Sequence, residues 1–315
     1  MILIVAPETD LHARCVAKHL SDMGAQVHIL DLGLLADSAE ISHFVAAKPG
    51  SKVTMSFPHA GHLDLAEVHT VWYRRPRLPK LSHLLPFEAD RAFALAEWSA
   101  ALNGVIASLG ARFVNDPTSQ RGASKPRQLQ VAKQVGLAIP ETLITNNARE
   151  ARRFVERFCS RVVHKALTAP PDRFLATKRW SEADGAALEH LGLAPTIFQE
   201  EIQGSLDLRI TVIGERLFAA GFPPTKLKNA GDNWIDNRLT LEVPYREHVL
   251  PSSVKTRILA IMTGLGLSFG TIDMKINKSD DYVFLEVNPQ GQFLYVEILT
   301  GLPLARAMAE FLLPQ

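Results

Sequence analysis

The sequence predicts an α/β protein built from more than one unit, on three observations. Residues 2–6, 10–23 and 26–31 read as strand, helix and strand, a βαβ opening that implies a parallel sheet. Strand and helix signals keep alternating through about residue 115. Near the C-terminus two short apolar strands flank a polar turn, the pattern of an antiparallel hairpin. At 315 residues the chain can bury a large core and hold two or three subdomains.

Composition narrows the function classes. A formal charge of +1 gives no general attraction to nucleic acid or to an anionic membrane surface. Residues 1–6 are apolar but lack a basic n-region and stop at Pro7-Glu8, so they read as a first strand rather than a targeting segment. No stretch approaches the roughly 20 apolar residues of a membrane span. Cys15 and Cys159 have neither metal-ligand spacing nor the density of a disulfide framework, which points to a reducing cytoplasm; both are expected to be buried small hydrophobes.

The first unit is Rossmann-like in pattern but has no Gly-x-Gly-x-x-Gly, so a dinucleotide site there is not expected. The strand over 26–31 is followed by a polar loop over 48–62, a strand over 71–76 ending in Arg74 and Arg75, and a long helix over 87–109. The two arginines are expected to be exposed and solubilising, with anion binding as the alternative. A second unit opens near Asn115. Lys125 precedes Pro126, a residue favoured in a first helical turn, so it stands at the N-terminal end of a helix closed by Gly136. That helix end already favours anions, and the lysine adds a full charge. Lys165 lies inside an otherwise apolar strand over 161–166, where snorkelling to solvent is the alternative to a binding role.

The third stretch runs from a strand over 196–202, through Gly204, into a strand over 207–214 that places Asp207, Arg209 and Thr211 on one face. A buried guanidinium there needs anionic partners. A polar, proline-marked loop with Trp234, Asp236, Asn237 and Arg238 follows, then helices over 252–264 and 302–313. The hairpin combines strands 271–276 and 283–288. A four-residue loop over 278–281 would pair Asn277 with Tyr282 and set Asp273 directly opposite Glu286. Two carboxylates about 5 Å apart repel by roughly 3 kcal/mol at an effective dielectric near 20, so a cation is expected between them. Asn288 falls on the same face, and three oxygen donors describe a hard-cation site suited to partly hydrated Mg²⁺ shared with substrate phosphates. The bland alternative is a solvated hairpin; the apolar Ile272, Met274, Ile276, Phe284, Leu285 and Val287 argue for burial.

Taken in order, a lysine at a helix start, a lysine on a strand, Gln-Glu-Glu-Ile, Asp-x-Arg, and Asp followed by Glu-x-Asn resemble the ATP-grasp superfamily over residues 115–312. Within it, VWYRRP at 71–76, LQVAKQVGLAIPETLITN at 129–146 and FLEVNPQGQF at 284–293 resemble the microviridin-type macrocyclases, which close side-chain ester or amide bonds in ribosomally made peptides called graspetides. The resemblance implies two α+β subdomains gripping ATP, over 116–195 and 196–315, preceded by a parallel α/β pre-ATP-grasp domain over 1–115. It implies that Lys125 and Lys165 contact ATP phosphates, that the backbone of Gln199, Glu200, Glu201 and Ile202 holds adenine, and that Asp207 reaches the ribose. Asp273, Glu286 and Asn288 would hold Mg²⁺, and Arg209, with Arg238 and then Lys275 as weaker candidates, would stabilise charge on the activated carboxylate. The implied substrate is a precursor peptide of leader plus core, with no nucleic acid or membrane partner; a homodimer is compatible with this reading. A RimK-like ligase adding one amino acid to a small molecule or protein terminus is the alternative, and a non-enzymatic nucleotide-dependent binder a further one. The chain departs from the family pattern in two places: residues 167–178 contain no glycine, and Phe293 stands where tryptophan is expected.

Overall fold

The computed structural model describes residues 1–38, 40–45, 52–57, 61–81, 85–168, 175–223 and 244–314. Strand β1 (Ile2–Val5) leads into helix α1 (Leu11–Asp22) and strand β2 (Val27–Leu30). Asp10 caps α1 by accepting from the Ala13 N–H, which ends the β1 connection sharply. After α2 (Leu35–Ser38) come β3 (Glu40–Phe44), β4 (Lys52–Phe57) and β5 (Gly61–Asp64), a small antiparallel sheet. This corrects the polar loop expected over 48–62. The pairing Met55↔Leu63 brings together two buried apolar residues whose polar neighbours hide the alternation in sequence.

Strand β6 (Thr70–Tyr73), helix α3 (Glu88–Ser108) and strand β7 (Arg112–Val114) complete a parallel sheet of order β2-β1-β6-β7. Both faces of β1 are buried, as expected of a parallel strand. Leu3 and Val5 pack with Leu102, Val105 and Ile106 of α3. Ile2 and Ile4 face a second cluster that contains Phe293, Val296, Met308 and Leu312, contributed by the C-terminal end of the chain. The N-terminal sheet is therefore packed against the last elements of the fold.

Helices α4 (Pro117–Gly122) and α5 (Lys125–Gln134) are followed by β8 (Thr142–Thr145), α6 (Ala148–Arg157), β9 (Val162–Lys165), β10 (Lys178–Arg179) and β11 (Thr196–Glu200). These strands form an antiparallel sheet of order β10-β9-β11-β8. Strand β11, which follows the boundary expected at 195, hydrogen-bonds to β8 and β9. The last sheet, of order β14-β13-β12-β15-β16, is built from β12 (Gly204–Ile213), β13 (Arg216–Phe222), β14 (Arg246–Glu247), β15 (Phe269–Asn277) and β16 (Tyr282–Asn288). Helix α7 (Ser252–Leu265) and α5 cover one of its faces, through Ile258, Ile261 and Leu129 against Ile272, Met274 and Phe284. Helices α8 (Leu294–Thr300) and α9 (Leu304–Leu312) end the chain. Cys15 is only partly buried and Cys159 is exposed, against the expectation that both are core residues.

Candidate active site

The opposite face of the last sheet carries the chemistry. Asp207 pairs in register with Lys275, Arg209 with Asp273, and Thr211 with Thr271 across β12 and β15; Asp273 then pairs with Glu286, and Thr271 with Asn288, across β15 and β16. Period-2 alternation puts all of these side chains on one face. The expected Asp273–Glu286 opposition is present, but the ladder reaches it by another route. Near the turn the pairs are Ile276↔Tyr282, Lys275↔Val283 and Met274↔Phe284, one residue out from the register read in sequence. Asp280 adopts a positive φ of 62°, the Asn277 side-chain oxygen caps the turn, and the Asn277 N–H donates to the Asp281 carbonyl, so the loop is one residue shorter than predicted. Leu285 is the extra residue of a bulge that restores the register at Glu286.

Cations do meet the two carboxylates, and they are the protein's own. The Arg209 Nη1 donates to both oxygens of Asp273 at 2.7 and 2.8 Å, and its Nη2 donates to the Gln292 carbonyl at 3.3 Å. Lys125 Nζ lies 3.3 Å and Lys165 Nζ 3.5 Å from Glu286 Oε2. Lys125 also donates to the Ala166 carbonyl at 3.1 Å. Two lysines separated by forty residues thus converge on one carboxylate, and the snorkelling alternative for Lys165, whose side chain is 11% exposed, does not hold. Asp207 and Lys275 form a close ion pair. Lys275 therefore stands beside Asp207 rather than at Asp273, which removes it from the residues suited to a developing oxyanion there.

At the connection between the sheets, the Gln199 side chain is buried and donates to Thr142 Oγ1 at 2.9 Å. The Glu200 carboxylate accepts from the Glu141 N–H at 3.4 Å, and Glu201 accepts from Arg179 Nε at 3.0 and 3.1 Å. Residues 201–203 form no strand and join β11 to β12, and the Glu201 N–H donates to the Arg161 carbonyl at 3.0 Å. Arg238, with Trp234, Asp236 and Asn237, lies outside the described residues, as does residues 169–174 of the glycine-free loop; Lys178 pairs with His164 in the β9–β10 ladder.

Asp273, Glu286 and Asn288 fit Mg²⁺ by donor chemistry. Among the described residues no three His, Cys, Asp or Glu side chains cluster as a self-sufficient metal cage. An ion here must draw further ligands from water or phosphate, which is the habit of Mg²⁺. The Asn288 Oδ1 accepts from the Gln290 N–H at 3.0 Å and retains a second lone pair.

The residues that hold this loop were not read from sequence as a group. Gln128 in α5 donates to the Val287 carbonyl at 2.8 Å and accepts from its N–H at 2.9 Å. Asn115 donates to the carbonyls of Phe269 and Pro289 at 2.8 and 3.2 Å and accepts from the Ser268 and Phe269 N–H groups. Arg74, expected to be exposed, is buried: its Nε donates to Asp10 at 3.0 Å and its Nη1 to the Gly291 carbonyl at 3.3 Å. Burial alone would raise the Asp10 carboxyl, but Arg74 and the Ala13 N–H hold it below the ordinary range. His12 Nε2 accepts from the N–H groups of Phe293 and Leu294 at 3.0 and 3.2 Å, and burial, with Arg74 nearby, pushes its pKa down to about 3. A polar residue at a core position of a helical period, as with Gln128, was the one signal available.

Comparisons with known proteins bear on the family. Residues 1–121 match the family model described as the MvdD pre-ATP grasp domain. The macrocyclase MdnC from Microcystis aeruginosa MRC, solved bound with precursor peptide MdnA, is 30% identical, with 99% of this chain and 98% of that chain covered and a TM-score of 0.85. A RiPP-associated ATP-grasp ligase from Chryseobacterium gregarium, in complex with ADP and a leader and core peptide, is 26% identical over 100% and 97% of the two chains, TM-score 0.87. MdnB, a macrocyclase from the same Microcystis strain, is 29% identical over 100% and 99%, TM-score 0.84. A comparison with curated protein sequences gives no match. On its identity to MdnC over nearly the full length of both chains, together with the carboxylate pair and converging lysines described above, the protein belongs to the family of ATP-grasp peptide macrocyclases.

Proposed function

We propose that this chain is an ADP-forming ATP-grasp ligase that closes side-chain ester or amide rings in a ribosomally made precursor peptide. The observation that carries the reading is the convergence of Lys125 and Lys165 on Glu286, opposite an Asp273 held by Arg209. When ATP binds, the lysines have a better partner in its phosphates than in a single carboxylate, and their departure frees Glu286. Asp273, Glu286 and Asn288 would hold Mg²⁺, which neutralises phosphate charge when bound.

A substrate carboxylate oxygen attacks the γ-phosphorus and ADP leaves, giving an acyl phosphate. A substrate hydroxyl or amine then attacks the acyl carbon, loses its proton, and inorganic phosphate departs. The peptide has lost one water for each ring. Arg209 is 3% exposed and its planar fork is fixed by Asp273 and the Gln292 carbonyl, so it costs little reorganisation to stabilise charge that develops in front of it. The backbone of Gln199, Glu200, Glu201 and Ile202 would take adenine and Asp207 the ribose, with Lys275 setting the direction of its carboxylate. The free thiols of Cys15 and Cys159 suit a reducing cytoplasm, where such a precursor is made.

Incubating the enzyme with ATP, Mg²⁺ and the cognate precursor tests this reading. The expected product is lighter by about 18 Da per ring, with one ADP released per ring and trapping of the activated carboxylate by hydroxylamine. Release of AMP, or a peptide heavier by one amino acid, overturns it.

A further inference from the structure

The N-terminal parallel sheet has an open crevice of a known kind. From β1 the chain turns to one side, through α1 to β2; from β6 it turns to the other, through α3 to β7. In open α/β sheets the space outside the carboxyl ends of two such diverging strands is where ligands bind. Asp10 and His12 follow β1, and Arg74 follows β6, so all three stand at that crevice. Its occupant here is the protein's own segment 291–294. Arg74 donates to the Gly291 carbonyl, His12 receives the Phe293 and Leu294 N–H groups, and the His12 ring meets the Phe293 ring edge-on with centroids 4.8 Å apart. The segment begins three residues after Asn288.

The arrangement carries a desolvation cost beside the Arg74 ion pair to Asp10 and the Arg74 contacts with the Trp72 and Phe293 rings. Arg74 is 1% exposed, and among the described residues its Nη2 has no hydrogen-bond partner. Burying a guanidinium with a nitrogen unsatisfied costs free energy that an apolar side chain would not. What it does provide is direction. Gly291 is pressed so tightly against Thr271 that a Cβ on it would fall 1.7 Å from Thr271 Oγ1, and Thr271 is the register partner of Asn288. Any shift of Gly291 is therefore felt at the residues that precede it.

We propose that Arg74, Asp10 and His12 form a positioning cluster through which the N-terminal domain sets the geometry of the Asp273, Glu286 and Asn288 metal site. The proposal rests on the metal reading given under Proposed function. None of the three touches the reacting atoms; Asp10 fixes the Arg74 fork, Arg74 fixes Gly291, and His12 fixes the start of α8.

The test is calorimetric titration of ADP with and without Mg²⁺, on the full chain and on Arg74→Lys and His12→Phe. The parent should bind ADP more tightly with Mg²⁺. In each variant that gain should shrink about tenfold, the usual effect of losing a residue that orients a metal ligand, while metal-free ADP affinity stays within about twofold. An unchanged Mg²⁺ gain in folded variants, or an equal loss with and without Mg²⁺, overturns the positioning role and leaves the metal site standing. No Mg²⁺ gain in the parent overturns the metal site and the cluster's role together. Should Arg74→Lys fail to fold, His12→Phe, which keeps a ring against Phe293, decides alone; if neither folds, the cluster is a folding determinant and the proposal is overturned.

Discussion

Arg209 and Asp273 face each other across the β12–β15 ladder, the guanidinium donating to both carboxylate oxygens, while Glu286 on the far side of Asp273 is met by Lys125 and Lys165. A carboxylate pair that repels is thus held together by three cations from three different elements. In the function proposed above, each cation would also act on substrate phosphate or on the activated carboxylate.

Glu286→Gln should keep the fold and lose activity. Its side chain is 21% exposed, and the ion pairs it makes are worth about 1 kcal/mol or less each, so the melting temperature should stay within about 5 °C. ATP turnover with precursor peptide should fall by about 10²-fold or more. Thermal melts beside an ADP-release assay check both; a variant with near-parental turnover defeats the metal role of Glu286.

Lys165→Ala should weaken nucleotide binding. A charge-assisted contact to phosphate is worth about 1.5–3 kcal/mol, which is roughly 10- to 100-fold in ADP affinity. Calorimetry with ADP and Mg²⁺ reads this directly, and unchanged affinity would mean that Lys165 serves Glu286 alone.

Arg209→Lys should separate binding from ring closure. A lysine can keep a charge near Asp273 but cannot reproduce the two-nitrogen geometry that also reaches Gln292. ADP affinity is expected within about threefold of the parent, and formation of the dehydrated peptide slower by about 10²- to 10³-fold, the range for a lost oxyanion donor. Single-turnover mass spectrometry gives the rate. Equal losses in both quantities would place Arg209 in ground-state binding.

Stability should fall between neutral pH and pH 5, and His12 should carry part of the fall. The folded chain keeps His12 neutral down to about pH 3, whereas the unfolded chain titrates it near 6.5. Below 6.5 the unfolded state therefore binds the extra proton, and stability drops as pH drops, by at most about 1.4 kcal/mol per pH unit. Denaturant melts at pH 7 and pH 5 should show a smaller drop in His12→Phe, by up to about 2 kcal/mol. Identical drops would show that His12 protonates freely in the fold.

Gly291→Ala should be strongly disruptive, because the new Cβ would overlap Thr271 Oγ1 at 1.7 Å and the neighbouring backbone is clamped by Arg74 and Arg209. A loss of about 1–3 kcal/mol is the usual cost of overpacking. A melt unchanged from the parent would mean that the loop moves more freely than its contacts imply.

What the sequence determined by itself was the set of parts and their order: the βαβ opening, the lysine at the start of α5, the lysine on β9, the Asp-x-Arg strand and the carboxylate hairpin. Each is a local pattern of period, cap or charge, and local patterns are written in neighbouring residues. It also determined the Asp273–Glu286 pairing, although the one-residue error at the turn and the bulge at Leu285 cancelled. A bulge and a left-handed Asp280 leave no period to read. The tertiary structure alone decided that Lys125 and Lys165 meet at Glu286, which depends on how α5 and the sheet of β9 are set against the last sheet, and that Lys275 belongs to Asp207, which depends on the β12–β15 register. It alone decided that Arg74 is buried. An arginine at a strand end looks solvated in sequence, and its buried guanidinium is met by groups far along the chain, the Asp10 carboxylate 64 residues away and the Gly291 carbonyl 217 residues away.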